Sequence, residues 1–173
     1  MLFRSLLDEF FGMAYYRAEK MPVVIFRFFN TVGPRQTGRY GMVLPRFVSK
    51  ALKNETIQVY GDGEQSRCFC HVYDAVRAVR GLAGSGKAVG KVFNIGNTEE
   101  VSMNELAARV VRRLKSKSKI QHIPYEKAYE SGFEDMRRRL PDISKINKAI
   151  GWKPEHNLDQ IIDSVAGYFR KKK

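Results

Sequence analysis

Two short apolar runs constrain the fold of this chain more than any other feature of its sequence. Residues 23–29 and 92–95 are the segments apolar enough for strands buried on both faces, which is typical of central strands in a parallel sheet. Segments with helical periodicity lie before, between and after them, and helices that alternate with strands predict an α/β fold. Two central strands cannot form a sheet that helices cover on both faces. The sequence therefore predicts the end of a larger parallel sheet.

The other elements follow from periodicity and from residues that start or stop helices. Ser102 and Glu105 form a capping box, Pro45 suits a first helical turn, and Gly151 suits a helix end. The predicted helices are residues 6–19, the segment that Pro45 opens, residues 74–82, the segment after Ser102, residues 143–150 and the segment from Leu158 onwards. Short strands are expected at 57–60 and 120–123, and the glycine-containing segment 30–41 is expected to be a loop.

Length and composition favour a single globular domain. The chain has 173 residues, of which 43% are hydrophobic, and no apolar run approaches membrane-spanning length. The N-terminus lacks the apolar core of a signal peptide, so the sequence predicts a cytoplasmic protein. Cys68 and Cys70 lie two apart in an expected strand and supply only two of the four ligands of a structural zinc site. We interpret them as buried structural thiols in a reducing compartment and expect no metal site.

The formal net charge of +13 suggests nucleic-acid binding, but the distribution of the charge disfavours that function. Much of the excess lies in residues 112–117, 137–139 and 170–173. The first and last of these groups close helices, where cations offset the helix dipole and stay solvated. Aromatic residues are not interleaved with them to stack on bases. A small phosphorylated substrate, in contrast, needs only a few well-placed arginines.

Three short clusters hold residues suited to binding a ligand. Asn30 follows the first apolar run, at the sheet edge where ligands bind, although an Asn before Gly-Pro can also simply form a turn. Arg67 follows a Gly-Asp-Gly turn, where its guanidinium can reach phosphate oxygens or stay solvated. Arg139 precedes Pro141 and Asp142, a pattern that on its own indicates a capped helix.

Together and in this order, these clusters resemble the extended short-chain dehydrogenase/reductase family, in its branch of nucleoside-diphosphate-sugar epimerases, dehydratases and decarboxylases. The segments that carry the resemblance are residues 27–35 (RFFNTVGPR), 43–47 (VLPRF), 59–63 (VYGDG), 66–67 (SR), 71–74 (HVYD), 93–96 (FNIG), 139–142 (RLPD) and 151–154 (GWKP). They keep the family order and span nearly the whole chain. The resemblance implies NAD as the cofactor and a UDP- or dTDP-sugar as the substrate.

The resemblance also implies roles for the residues near the first strand. Phe29 would present its backbone to the nicotinamide, and Asn30 would hold the sugar diphosphate. Val43 and Leu44 belong to the stretch that contacts the sugar nucleotide.

Further residues would bind the nucleotide itself. Val59 and Tyr60 would bracket the pyrimidine base. Arg67 and Arg139 would clamp the pyrophosphate from two sides, and Asp142 belongs to the same motif as Arg139. Such a clamp is physically reasonable, because two phosphate charges held away from water need bidentate donors.

Two features of the family do not occur in this sequence. The turn Gly-x-x-Gly-x-x-Gly, whose amides hold the NAD pyrophosphate at a helix N-terminus, is absent. Alignment of the first helix puts Met1 and Ser5 at the positions of the catalytic Tyr and Lys. Tyr16 and Lys20 match Tyr-x-x-x-Lys literally, but they lie at the far end of that helix. The sequence therefore predicts a C-terminal fragment that has no catalytic residues and does not retain NAD.

The intact parent of such a fragment would oxidise the sugar at C4 by hydride transfer and return the hydride after rotation, elimination or decarboxylation. The sequence favours a UDP-glucose 4-epimerase-like enzyme, with a UDP-glucuronate decarboxylase or a dTDP-glucose 4,6-dehydratase as the alternative. A non-catalytic basic binding module is the alternative from a different class.

The expected architecture is the C-terminal part of a Rossmann-type parallel sheet plus the smaller substrate-binding subdomain. Residues 1–34 and 68–97 would be the remaining Rossmann elements. Residues 35–67 and 98–173 would form mainly the sugar-nucleotide-binding subdomain. The first helix would mediate a homodimer in the parent.

Overall fold

The structure is a computed structural model that describes residues 2–36, 42–124 and 136–171. Its helices are α1 (Leu2–Glu19), α2 (Val43–Leu52), α3 (Val72–Ala83), α4 (Met103–Arg113), α5 (Ser144–Ile150) and α6 (Leu158–Lys171). Its strands are β1 (Val24–Phe28), β2 (Thr31–Val32), β3 (Ile57–Tyr60), β4 (Ser66–Cys68), β5 (Cys70–His71), β6 (Lys91–Ile95), β7 (Glu100–Ser102), β8 (Ile120–Ile123) and β9 (Arg138–Arg139). Helices and strands alternate along the chain, which confirms the predicted α/β fold.

The two apolar runs lie side by side as a parallel pair. Val24 of β1 is opposite Lys91 of β6, and Phe28 is opposite Ile95. α3 is the α-helix that precedes β6 in the chain, and it packs against β1. Within the described ranges no further strand joins this pair. The parallel pairing of the two apolar runs is thus as predicted, and their place at the end of a larger sheet stays a prediction.

The shorter strands pair in three further groups. β3 and β8 are parallel, with Ile57 opposite Ile120, and β2 is parallel to β5. β4 lies between β7, which is antiparallel to it, and β9, which is parallel to it. The pairing of β3 with β8 joins two strands that the sequence predicts, whereas β7 and β9 are additional.

The hydrophobic side chains of the described ranges form two separate clusters. The subdomain core lies among α2, β3, α4 and α6, and its largest fully buried side chains are those of Leu44, Phe47, Ile57, Leu106, Ile161 and Ile162. The sheet core lies among α3, β6 and α5, and it contains Leu82, Phe93, Ile95, Ile146 and Trp152. α5 therefore packs with the Rossmann elements, although it lies within the 98–173 range that the sequence assigns mainly to the subdomain.

Cys68 and Cys70 belong to two different strands, so the expectation that they share one strand is wrong. β4 ends at Cys68, β5 begins at Cys70, and the chain bends between them at Phe69, whose side chain enters the subdomain core. Both thiols are buried, as expected. Burial raises the pKa of Cys68 to about 11 and the pKa of Cys70 to about 12. Neither thiol is therefore a nucleophile at neutral pH.

α1 packs on β1 through one narrow face. A Cβ on Gly12 would lie 3.4 Å from the side chains of Val23 and Ile25, so glycine allows close packing there. Most of the large apolar side chains of α1 point away from this contact and are exposed: Leu6, Leu7, Phe10, Phe11 and Tyr15. None of the helices in the described ranges has the length and apolar composition needed to cross a bilayer.

Candidate functional site

Asn30 joins the end of β1 to the bend between β4 and β5. Its backbone lies in the left-handed region (φ 38°), which Asn tolerates better than most residues. The Asn30 Nδ2 donates to the carbonyl of Cys68 at 2.9 Å, and the Asn30 carbonyl accepts from the amide of Cys70 at 3.2 Å. The structure thus gives Asn30 a tethering role, and its contact with a sugar diphosphate stays a prediction.

Phe29 extends the pairing of β1 with β6 by one residue. Its amide donates to the carbonyl of Ile95 at 2.9 Å. Any backbone contact between Phe29 and a nicotinamide would therefore have to come from its carbonyl group. The Phe29 ring lies beneath the guanidinium of Arg139, 5.4 Å from the ring centroid.

Arg67 and Arg139 are far apart in the sequence but neighbours in the structure. β4 and β9 pair with Arg67 opposite Arg139, and paired residues of adjacent strands place their side chains on the same face. The Arg67 Nη1 donates to the carbonyls of Ser66 and Met136, both at 2.7 Å. With Arg139 over the Phe29 ring, the two guanidinium groups share one face of the small sheet beside the carboxyl end of β1.

The opposite face of this small sheet carries an ion pair that distinguishes Arg138 from Arg139. The Glu100 carboxylate accepts hydrogen bonds from Arg138 Nε and Nη2, both at 2.9 Å, and from Ser66 Oγ at 2.5 Å. The hydrogen bonds from the Arg138 guanidinium lower the pKa of Glu100 below its usual range, and the Ser66 hydroxyl adds a smaller effect in the same direction. Among the described residues, no carboxylate forms an ion pair with Arg139. The contact of Arg139 with a pyrophosphate stays a prediction.

The side chain of Leu44 is buried in the subdomain core, so it is not available to a ligand. What Leu44 can offer at the N-terminus of α2 is its backbone amide. The amides of Val43 and Leu44 lie in the first helical turn, where they have no carbonyl partner within the helix. Such amides favour an anion. The predicted contact of this stretch with a sugar nucleotide would therefore be a backbone contact.

Val59 and Tyr60 face different sides of β3, and their contact with a pyrimidine base stays a prediction. Alternation along β3 turns the Val59 side chain into the subdomain core and leaves the Tyr60 ring outside it. The Tyr60 carbonyl accepts from Gln65 Nε2 at 3.0 Å, so Tyr60 is tied to the segment that leads to Arg67. Of these two side chains, the Tyr60 ring is the one that lies outside the subdomain core.

Arg46 of α2 contacts Tyr60, and the sequence does not single it out. Its Nη1 donates to the Tyr60 hydroxyl at 2.9 Å, and its guanidinium lies 4.5 Å from the Tyr60 ring centroid. The only sequence signal for Arg46 is its place in the 43–47 segment, which carries part of the family resemblance.

Asp142 precedes Ile143, the N-cap residue of α5, and its carboxylate closes a short turn onto the first residue of that helix. The Asp142 carboxylate accepts from the amide of Ser144 at 2.8 Å, and this bond lowers the pKa of Asp142 below its usual range. Pro141 packs against Gly96, where a Cβ would lie 2.7 Å from the Pro141 ring and 2.9 Å from Phe29 Cβ. The expectation that Asp142 is the helix cap is therefore wrong by one position, and a direct ligand contact of Asp142 stays a prediction.

Tyr16 lies at the amino end of β6, away from the candidate site. A Cβ on Gly90, the residue before β6, would lie 2.4 Å from the Tyr16 ring. Lys20 donates to the carbonyl of Arg17 at the end of α1. The site residues described above lie near the carboxyl ends of β1 and β6. The position of Tyr16 thus agrees with the expectation that the Tyr16–Lys20 pair is not catalytic.

Asp74, His71, His156 and Ser164 form a network of contacts that the sequence does not predict. The His71 and His156 rings stack with centroids 4.2 Å apart, and His156 Nδ1 lies 3.0 Å from the Asp74 carboxylate. His71 Nδ1 accepts from the amide of Tyr73, so His71 Nε2 carries the proton and donates to Ser164 Oγ at 3.0 Å. In this tautomer His71 cannot take a proton from Ser164. The network is therefore structural.

No group of three or more candidate metal ligands occurs in the part of the chain that the structure describes.

Comparison with known proteins places this geometry in a family context. The model of the family described as GDP-mannose 4,6 dehydratase matches residues 6–165. A UDP-N-acetyl-alpha-D-glucosaminuronate decarboxylase of Bacillus cytotoxicus is 40% identical over 157 residues, which are 90% of this chain and 49% of the relative. UDP-glucuronic acid decarboxylase 4 of Arabidopsis thaliana is 37% identical over 164 residues, which are 95% of this chain and 35% of the relative. The chain thus spans between about a third and a half of these relatives.

Solved structures share the fold over a similar extent. Pal from Bacillus thuringiensis is 30% identical with a TM-score of 0.83, over 93% of this chain and 50% of that protein. A UDP-glucose 4-epimerase of Thermotoga maritima, solved with UDP-glucose, is 29% identical with a TM-score of 0.84, over 95% of this chain and 51% of that protein. A dTDP-glucose 4,6-dehydratase of Bacillus anthracis, in complex with NAD, is 25% identical with a TM-score of 0.82, over 95% of this chain and 50% of that protein.

Proposed function

The chain belongs to the GDP-mannose 4,6-dehydratase family, and we propose that it is the sugar-nucleotide-binding part of an NAD-dependent enzyme that acts on a UDP-sugar. The observation that carries the proposal is the pairing of β4 with β9, which sets Arg67 and Arg139 side by side. Two adjacent guanidinium groups match the oxygens of a diphosphate better than lysines do, because each offers a planar fork of donors. The first-turn amides of α2 would add donors without adding charge.

For the whole protein we favour decarboxylation of a UDP-linked uronic acid. The curated relatives at 40% and 37% identity are both decarboxylases of UDP-linked uronic acids, whereas the Thermotoga maritima epimerase is 29% identical. Oxidation at C4 of a uronate creates a carbonyl group β to the carboxylate, and a β-keto acid readily loses carbon dioxide. The UDP-sugar 4-epimerase that the sequence favours is the second candidate, because it shares the UDP group and the oxidation at C4.

The residues of this chain fit only one end of a nicotinamide cofactor. The Phe29 carbonyl lies at the carboxyl end of β1, where the nicotinamide of an NAD-dependent family member would be held, and NAD would there supply the hydride acceptor. The glycine-rich turn that binds the cofactor's pyrophosphate does not occur in the 173 residues. This chain would accordingly bind and orient the UDP-sugar, and it would contribute little to the affinity for NAD.

Calorimetric titration separates this proposal from the basic-module alternative. We expect the chain to bind UDP and UDP-glucuronate, with an affinity that changes modestly between about 50 and 200 mM salt, because few phosphates are neutralised. A short oligonucleotide should bind weakly and lose its affinity over the same range. Tight oligonucleotide binding without UDP binding would instead support the basic module.

Arginine substitutions test which face of the small sheet binds the diphosphate. Arg67→Ala and Arg139→Ala should each weaken UDP binding by about 2 kcal/mol, as expected for a hydrogen bond between charged groups. Lys at either position should recover only part of the loss. Arg138→Ala is the matched control, because it removes the same charge from the opposite face, where Arg138 pairs with Glu100. Equal effects of Arg138→Ala and Arg139→Ala would contradict the assignment.

A further inference from the structure

Arg46 is held against Tyr60 by two interactions at once. It lies in the first turn and a half of α2, and its guanidinium both donates to the Tyr60 hydroxyl and lies over the Tyr60 ring. The same guanidinium lies 5.7 Å from the ring centroid of Phe47, which is buried in the subdomain core. A planar cation that contacts both a core ring and an outer ring restricts the orientation of the outer ring.

The charge of Arg46 is not explained by an ion pair. No carboxylate of the described ranges lies within ion-pair distance of its half-buried guanidinium. Its Nε is buried and has no hydrogen-bond partner within residues 2–36, 42–124 and 136–171. A buried donor without a partner destabilises the folded chain, so a neutral side chain would serve packing alone better than this arginine does. The arrangement therefore indicates a function for the cation beside Tyr60.

We propose that Arg46 is a positioning residue for nucleobase recognition: it fixes the Tyr60 ring in the orientation that stacks on the pyrimidine of a UDP-sugar. This inference rests on the proposed function and adds that different arginines act on the diphosphate and on the base. Arg67 and Arg139 bind the diphosphate, whereas Arg46 acts on the base through Tyr60. The hydroxyl contact keeps the ring from turning, and the stacked guanidinium supports one of its faces.

Paired titrations with UDP and with inorganic pyrophosphate test this division, because pyrophosphate lacks the base. Arg46→Gln should weaken UDP binding about tenfold, in line with the loss of one cation–π contact and one hydrogen bond, and should leave pyrophosphate binding within about twofold. Arg46→Lys, which keeps the charge but loses the planar fork, should weaken UDP binding by an intermediate factor. Arg67→Ala should weaken the binding of both ligands.

A double-mutant cycle separates positioning from a general loss of folding. Tyr60→Phe removes the hydroxyl and keeps the ring, so the effects of Arg46→Gln and Tyr60→Phe on UDP affinity should be less than additive. Lys50→Gln is the matched control, because it removes one charge from the same helix, where Lys50 pairs with Glu55 on the surface. It should change neither affinity.

The outcomes distinguish this inference from the proposed function. If Arg46→Gln weakens pyrophosphate binding as much as UDP binding, Arg46 contacts phosphate and the positioning role is wrong. If the variant binds UDP normally while Arg139→Ala does not, the inference fails and the proposed function stands. If the unmodified chain binds neither UDP nor pyrophosphate, both fail.

Discussion

Asp74 connects α3 to the segment that leads into α6 through a single buried carboxylate. One carboxylate oxygen accepts from Arg77, and the other accepts from the amides of Glu155 and His156 and lies 3.0 Å from His156 Nδ1. Burial alone would raise the pKa of Asp74, but these donors together lower it below its usual range. The carboxylate therefore stabilises the folded chain where it is ionised, and this contribution is lost as the pH falls through the lowered pKa.

Asp74→Asn should destabilise the chain by about 3 kcal/mol, because an amide cannot accept all of these hydrogen bonds and leaves buried donors unpaired. Asp163→Asn is the matched control. Asp163 pairs with Arg113 on the surface, and its loss should cost less than about 1 kcal/mol. Urea denaturation at neutral pH measures both. Similar losses in the two variants would show that the Asp74 network contributes no more than a surface ion pair.

His71 gives the chain a second source of pH dependence. Burial lowers the pKa of His71 below 6.5, and the stacked His156 lowers it further. Below pH 6.5 the unfolded chain therefore binds a proton that the folded chain does not bind, so the free energy of unfolding should fall as the pH falls toward the folded pKa. His71→Gln should reduce this slope between pH 7 and pH 5, at ~1.4 kcal/mol per unit of pKa difference. An unchanged slope would contradict the assignment.

Candidate site residues that directly follow a predicted strand or turn can be identified from the sequence. Residues that meet only when distant elements pack together cannot. Asn30 and Arg67 are identified because Gly, Pro and Asp next to them mark the ends of predicted elements. Arg46 acquires its role only when α2 and β3 are placed side by side. The Asp74 network joins residues more than 80 positions apart, which no local pattern reveals.

At the scale of elements, β9 shows the limit of strand prediction from composition. Arg138 and Arg139 are neither β-branched nor aromatic, and they become a strand because β4 offers an edge with which to pair. The long helices, in contrast, are predictable from their periodicity, and the two central strands from their continuous apolar runs. The sequence does not predict the bend at Phe69. Asn30, which forms hydrogen bonds with Cys68 and Cys70 on either side of the bend, lies 39 positions before Phe69 in the sequence.

α1 should make the isolated chain associate. Phe10 is 69% exposed and Phe11 is 57% exposed, and with the neighbouring Leu6, Leu7 and Tyr15 they form a continuous apolar surface of the kind that marks an interaction site. We expect dimers or larger species in light scattering at tens of micromolar, and the double substitution of Phe10 and Phe11 by Glu should shift them toward monomer.

Val76→Glu on α3 is the control for this experiment, because Val76 is an exposed apolar side chain on another helix. It should not change the association. A monodisperse monomer of the unmodified chain at the same concentration would contradict the prediction.

At the scale of the whole molecule, the two hydrophobic clusters support different functions. The subdomain core closes among four elements that are all present in the chain, α2, β3, α4 and α6. The sheet core rests on one pair of parallel strands, in a chain that spans between about a third and a half of its curated relatives. Nucleotide recognition is therefore better supported in this chain than cofactor binding is.

The chain on its own should neither retain NAD nor exchange hydride with a UDP-sugar. Its sequence lacks the glycine-rich turn, and Tyr16 lies at the wrong end of β6 to act on a bound sugar. Absorbance and cofactor extraction of the purified chain measure NAD content, and incubation with labelled UDP-glucose measures exchange. Co-purified NAD, or exchange above background that Tyr16→Phe abolishes, would overturn this prediction.

The pairing of Glu100 with Arg138 also selects the register of β9. Three arginines follow one another at positions 137–139, so a one-residue shift that placed Arg137 and Arg138 opposite β4 would leave two arginines in the strand. Because side chains alternate between the faces of a strand, such a shift would reverse which arginine points toward the ligand. The Glu100 carboxylate accepts hydrogen bonds from the Arg138 guanidinium on one face of the sheet. This ion pair favours the register in which the Arg139 side chain lies on the other face.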